Sequence, residues 1–168
     1  TVASVTLAFE NSDMEASMHN TSYTLKPTGT DYSTADAYAG SQSLFVSGTE
    51  TSNGYIFTSA GNISTAPTGA TSISFYIKGT SDAKTLSINI GTAGTGTVYN
   101  VGDVTTSDVT ITASGSNSYT GTIDTGGNWV KVTLQDVTSI ASYDSVTISF
   151  KYGKDSNYAL YIDQVFWE

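Results

Sequence analysis

The chain has 168 residues, no cysteine and no arginine, and its six lysines face fifteen acids for a net charge of -9. Without cysteine, disulfides, thiolate zinc sites and thiol nucleophiles are excluded together. An acidic surface without guanidinium groups is poorly suited to nucleic acid, phosphate or anionic lipid headgroups, so neutral or cationic partners are expected.

The length is that of a single domain, 1–168, able to bury roughly 70% of its unfolded surface without covalent staples. With 16 Gly, 11 Tyr, 2 Pro and only 12% charged residues, in a background rich in Thr and Ser, it reads as all-β. No apolar run is long enough to cross a membrane, and nothing at Thr1 resembles a signal peptide, so any targeting segment is expected outside this sequence. By composition the chain is similar to secreted or surface-displayed bacterial modules.

In chain order, "SVTLAF" opens with Val5, Leu7 and Phe9 on one face of a period-two strand. A long stretch from Asn11 to Gly40 follows without a clear strand; Ser12 to Asn20 could form a turn of helix, and long loops in compact domains are often functional or ion-bound. Then come "SLFVS" and "NGYIFT", "TSISFYIKG" with Ile73, Phe75 and Ile77 inward, and "KTLSINI" with Leu86, Ile88 and Ile90 inward. "DVTITA", "WVKVTL" and "SVTISFKY" alternate in the same way, and "ALYIDQVFWE" closes the chain. Turn signals at Asn53-Gly54, Gly91 to Gly96 and Gly126-Gly127-Asn128 separate them. About ten short strands imply a two-sheet antiparallel β-sandwich, with jelly-roll topology expected.

The closing strand poses a physical problem. Asp163 stands among apolar residues, and a buried carboxylate must be paired, metal-bound or protonated. Leu160 and Ile162 share one face whereas Val165 and Trp167 fall on the other. A β-bulge at Asp163 and Gln164 would return both pairs to the core and turn the Asp163 carboxylate toward a loop.

Catalytic chemistry has little to work with. His19 is the only histidine, which rules out Ser-His-Asp and multi-histidine metal sites. "GTAGTG" lacks the lysine of a phosphate-binding loop, and the Asn20 and Asn62 sequons are ordinary where Ser and Thr abound. Paired-carboxylate glycoside hydrolysis stays open with fifteen acids, although no acid pair is recognisable.

Sugar rings have an apolar face and a polar rim, so their sites combine an aromatic platform with hydrogen-bonding groups. Alternation points Tyr76 and Lys78 outward opposite Phe75 and Ile77, Trp129 and Lys131 outward opposite Val130 and Val132, and Asn89 outward between Ile88 and Ile90. Tyr32, Tyr38, Tyr99 and Tyr158 form a second, loop-borne set. Against these roles, Trp129 opens a strand where a Trp often covers the end of the core, and exposed aromatics are common on sheets.

Three stretches in order, "LAFENSDMEA", "AYAGSQSLFVSG" and "YIDQVFWE", together with "ISFYIKG" and "GNWVKVTL", resemble the calcium-containing β-jelly-roll carbohydrate-binding modules, the group with xylan- and cellulose-binding families. The resemblance spans most of the chain. It implies a structural calcium joining the first and last strands, with carboxylates from Glu10 and Asp163, a backbone carbonyl from the Gly40-Ser41 turn, Asp36 as a third acid and carbonyls near Asn11 and Ser12. Gln164 stands where a second closing acid is usual. The bland alternative makes Glu10 and Asp163 ordinary solvated acids at strand ends, with Asp163 held by lysine or backbone donors.

The function implied is non-catalytic binding of a neutral polysaccharide or oligosaccharide, targeting an attached enzyme or a cell surface within a larger multidomain protein. The other reading is a structural spacer or interaction domain with the same fold and no sugar site, since fold does not decide between them.

Overall fold

The computed structural model describes residues 5–92, 96–137 and 145–168, so Ser4 of "SVTLAF" and the middle of the 91–96 turn signal lie outside the described residues. The larger of two sheets runs in the order β2 (Asp31–Ser33), β3 (Ser43–Gly48), β12 (Tyr158–Trp167), β5 (Ile73–Ser81), β10 (Val130–Leu134), β8 (Val109–Ile111). Two short strands extend it: β1 (Thr6–Leu7) pairs with β12, and β9 (Ile123–Asp124) pairs with β5. The smaller sheet runs β4 (Gly54–Thr58), β11 (Thr147–Tyr152), β6 (Leu86–Gly91), β7 (Thr97–Asn100). The chain is thus an all-β two-sheet sandwich. Among the described residues the strands pair antiparallel except for β8, which lies parallel to β10, and an isolated bridge from Val104 to Ile123 is also parallel.

Alternation fills the space between the sheets. Ile73, Phe75 and Ile77 of β5, Val130, Val132 and Leu134 of β10, and Leu160 and Ile162 of β12 meet Leu86, Ile88 and Ile90 of β6 and Ile148 and Phe150 of β11, all without exposure. The contact across the layers is visible at Phe75 and Phe150, whose rings meet edge-on at 4.9 Å.

The first expected strand shrinks to two residues because the chain reverses at once, with Asn11 and Met14 in left-handed backbone (φ 61° and 69°). The 11–40 stretch forms no helix; it sends Met14 and Met18 into the core and supplies β2 at its far end.

The bulge expected in the closing strand is present. Pairing of β12 with β5 shifts register between Asp163 and Phe166, and Gln164 takes φ 54°. The shift lets Leu160, Ile162, Val165 and Trp167 all reach the core while Tyr161, Asp163 and Phe166 face the other way. Neighbouring Gly79 pairs with Leu160 at φ 134°, and a Cβ there would run into the Ala159 carbonyl and the Leu160 backbone. Gly79→Ala is therefore expected to cost about 1–3 kcal/mol. Chemical denaturation compared with wild type checks this, and an unchanged midpoint would show that the two strands can part at no cost.

Candidate functional site

The outer face of the larger sheet gathers the aromatic side chains that alternation keeps out of the core. Register aligns them in rows. Tyr161 of β12 pairs with Phe45 of β3 on one side and with Lys78 of β5 on the other. Val130 of β10 opposes Ile77, which brings the preceding residue, Trp129, beside Lys78. A second row holds Asp163, Tyr76 and Lys131.

The rings touch in sequence across the face. Phe45 and Tyr161 lie 4.6 Å apart, Tyr161 and Trp129 6.3 Å, and Trp129 stands edge-on to Tyr38 at 6.0 Å. Tyr38 lies flat on Tyr76 at 3.5 Å with the ring planes only 8° apart, and Tyr76 continues to Phe166 at 5.8 Å. Phe45, Tyr161, Trp129, Tyr38 and Tyr76 are all half-buried, so the band combines mutual packing with open ring surface.

Charged groups border it in pairs. Lys78 Nζ meets Asp36 at 2.5 Å and lies 6.0 Å from the Trp129 ring centroid. The Lys78 hydrogen bond holds the Asp36 carboxyl below its usual range, opposed by partial burial and helped by Trp129. At the far end Lys131 Nζ donates to Glu168 at 2.8 Å, and the Ser74 hydroxyl donates to the same carboxylate at 2.6 Å. Burial raises the Tyr76 phenol above its ordinary value and the Tyr38 hydroxyl adds to the effect, so Tyr76 stays neutral at physiological pH.

Asp163 holds the loop that carries Tyr38. Its Oδ2 accepts the backbone N–H groups of Tyr38 (2.8 Å) and Ala39 (3.2 Å). Ser43 reinforces the loop by donating to the Asp36 carbonyl at 2.7 Å. Asp163 is completely buried, and among the described residues its Oδ1 has no donor; neither has Gln164 Oε1. Burial pushes its carboxyl up to about 7, with the N–H donors opposing and Glu15 adding like-charge repulsion.

A raised acid is a stability statement. The unfolded chain loses the Asp163 proton in the ordinary carboxylate range, whereas the folded chain keeps it up to about 7. In metal-free solution this stabilisation is full below about pH 4 and disappears as pH rises through 7, a change on the order of 4 kcal/mol. The stability of wild type relative to Asp163→Asn should fall across that window. A difference independent of pH would contradict it.

The acid beside Asp163 is Glu15, not the expected Glu10. Glu15 accepts the N–H (2.8 Å) and hydroxyl (2.7 Å) of Ser41 and the N–H of Gln42 (3.1 Å). Burial raises its carboxyl, but these donors outweigh it and the net shift is downward. Glu10 is exposed in the turn after β1. Ser12 is bound to the closing strand, its hydroxyl donating to the Val165 carbonyl at 2.6 Å and its carbonyl accepting the Val165 N–H at 2.9 Å. Ser41 is bound to Glu15 and Asp36 to Lys78. Among the described residues no three acids or histidines gather as metal ligands. Of the anticipated set, Asp163 alone presents an unsatisfied buried oxygen, and Glu15 is the carboxylate near it.

One similar solved structure is a sugar-binding domain. The CBM22-1 xylan-binding domain from Paenibacillus barcinonensis Xyn10C is similar to this chain at 16% identity and a TM-score of 0.43, over 84% of this chain and 82% of that one. No family model matches the chain, and no curated protein does.

Of the expected sugar contacts, Tyr76, Trp129, Lys78 and Lys131 come together on this face. Asn89 points outward as anticipated, but from β6 on the opposite sheet. Tyr99 is a correction: it is wholly buried between the sheets and its hydroxyl donates to the Gln135 carbonyl at 2.5 Å, so it has no ring face to offer. Tyr158 is likewise internal, donating to the Thr85 carbonyl at 2.6 Å, and Tyr32 packs on the core with its hydroxyl accepting the Met18 N–H at 2.9 Å. Tyr38 is the member of the loop set that reaches the face. Phe45 and Tyr161 were missed, although the same alternation marks them: Leu44 and Val46, and Leu160 and Ile162, point inward on either side.

Proposed function

We propose that this is a non-catalytic domain that binds a neutral polysaccharide on the outer face of the larger sheet and so targets an attached enzyme or cell surface in a secreted or surface-displayed protein. The observation that carries this reading is the row Phe45, Tyr161, Lys78, Trp129 across four adjacent strands, an aromatic surface interrupted by one charged hydrogen-bonding pair. Aromatic rings take the apolar faces of successive sugars, and the Lys78–Asp36 pair and the Tyr38 hydroxyl can engage ring hydroxyls. Affinity electrophoresis against neutral plant and microbial glycans tests it, with retardation by at least one polymer expected. No retardation by any of them would favour the spacer reading, which draws support from Tyr38 lying flat on Tyr76 and Trp129 standing edge-on, a packing that covers a sheet without a ligand.

A structural calcium is the second part of the proposal. Asp163 and Glu15 would supply the carboxylates, with the Gln164 amide oxygen and backbone carbonyls of the neighbouring turns completing an all-oxygen set. Support comes from the two oxygens of the closing strand that are buried without donors among the described residues, Asp163 Oδ1 and Gln164 Oε1. A divalent cation would satisfy a buried carboxylate that otherwise has to hold a proton.

A further inference from the structure

The outer face of the smaller sheet carries an arrangement that the proposed sugar face does not use. Ile88, Ile148 and Phe150 point into the core, so Ser87 and Asn89 of β6 and Ser149 and Lys151 of β11 point away from it. Strand β4 bulges against β11: Phe57 opposes Phe150, but the next pair is Tyr55 with Lys151, and Ile56 is passed over into the core. Bulges of this kind re-aim side chains. Here the bulge sets the Lys151 ammonium over the Tyr55 ring at 4.7 Å and leaves Tyr55 49% exposed, an exposure exceeded among the described aromatic residues by Tyr23.

Lys151 differs electrostatically from the lysines of the other sheet. Lys78 and Lys131 have Asp36 and Glu168 as partners, whereas among the described residues no carboxylate pairs with Lys151. Lys151 is half-buried, and burial draws its ammonium below the ordinary lysine range with no acid among the described residues opposing. Beside it the floor is polar. The buried Ser87 hydroxyl lies 2.7 Å from the amide oxygens of both Asn100 and Asn117, Ser149 and Thr58 share a hydrogen bond of 2.8 Å, and the buried Asn89 Oδ1 has no partner among the described residues.

An unpaired cation next to an open aromatic ring, above hydroxyls and amides, matches a sugar that bears a carboxylate. A chain of net charge -9 repels a polyanion, which limits the ligand to a single acid on an otherwise neutral glycan. We propose that this face is a second ligand site, taking the carboxylate of one uronic-acid residue on Lys151 with the sugar ring against Tyr55. It stands on different residues from the neutral-glycan face and does not depend on it.

The test is a backbone-amide NMR titration at neutral pH and low salt with methyl β-glucuronide, and in parallel with methyl β-glucoside and acetate. The glucuronide is expected to shift Tyr55, Ser87, Asn89 and Lys151 saturably while Trp129 and Tyr161 stay still. Lys151→Gln should weaken it about tenfold, Tyr55→Ala should weaken it too, and Lys151→Arg should retain it; the melting temperature of each variant establishes that it is folded. The proposal is overturned if the glucoside or acetate produces the same shifts with equal affinity, if Lys151→Gln binds like wild type, or if the glucuronide causes no saturable shift on this face.

Discussion

Replacing Trp129 and Tyr161 together by alanine is expected to abolish glycan retardation while leaving the domain folded. Each ring offers roughly 80 Å² of apolar surface to a sugar face, worth about 2 kcal/mol, or roughly thirtyfold in affinity for each platform. Both residues sit outside the core between the sheets, so the melting temperature should change by only a few degrees. Tyr38→Ala provides the contrast. It uncovers the face of Tyr76 that Tyr38 now occupies at 3.5 Å, so a substitute platform appears and the loss should be about fivefold or less. Affinity electrophoresis and calorimetry with the best glycan of the panel give the numbers. Wild-type affinity in the Trp129/Tyr161 double variant would move the site off this face.

Removing calcium is expected to lower the melting temperature by about 5–10 °C. An ion held at about a hundred times its dissociation constant stabilises by about 2.7 kcal/mol, and a domain of this size gains roughly 2–4 °C per kcal/mol. Asp163→Asn should melt at the same temperature with calcium or with chelator, since the amide cannot supply the anionic oxygen. Unfolding and refolding in chelator removes any slowly released ion before measurement, and a wild-type melting temperature still indifferent to calcium would refute the site. A second consequence follows from geometry. Because Asp163 Oδ2 holds the Tyr38 and Ala39 N–H groups, loss of that carboxylate should also weaken glycan binding by loosening the loop that brings Tyr38 to the aromatic face.

The role of Asp163 is therefore wider than the sequence suggested. Read along the chain, it is a buried acid whose implied role is to join the first and last strands through an ion. In space it opposes Tyr76 across the β12–β5 ladder and anchors the neighbouring ring.

What alternation could determine by itself was which side of its own sheet a residue faces, because successive side chains point to opposite faces. That is why Tyr76, Lys78, Trp129 and Lys131 were legible, and why the phase break at Asp163 and Gln164 announced the bulge. Alternation says nothing about which sheet a strand joins. Asn89 was correctly turned outward and still belongs to the other face, because β6 pairs with β11 and β7 rather than with β5. Tyr99 follows the same rule from the other side, its ring sealed between the sheets once β7 pairs with β6. The acid near Asp163 was equally beyond a linear reading: left-handed turns at Asn11 and Met14 reverse the chain, leaving Glu10 in solvent and delivering Glu15 to the Ser41 turn. Composition and period two thus determined an all-β sandwich and the facing of each strand. Strand order, loop placement and the company kept by Asp163 rest on contacts between residues far apart in the sequence, Asp163 with Tyr76 and with Tyr38 among them, which only the folded chain brings together.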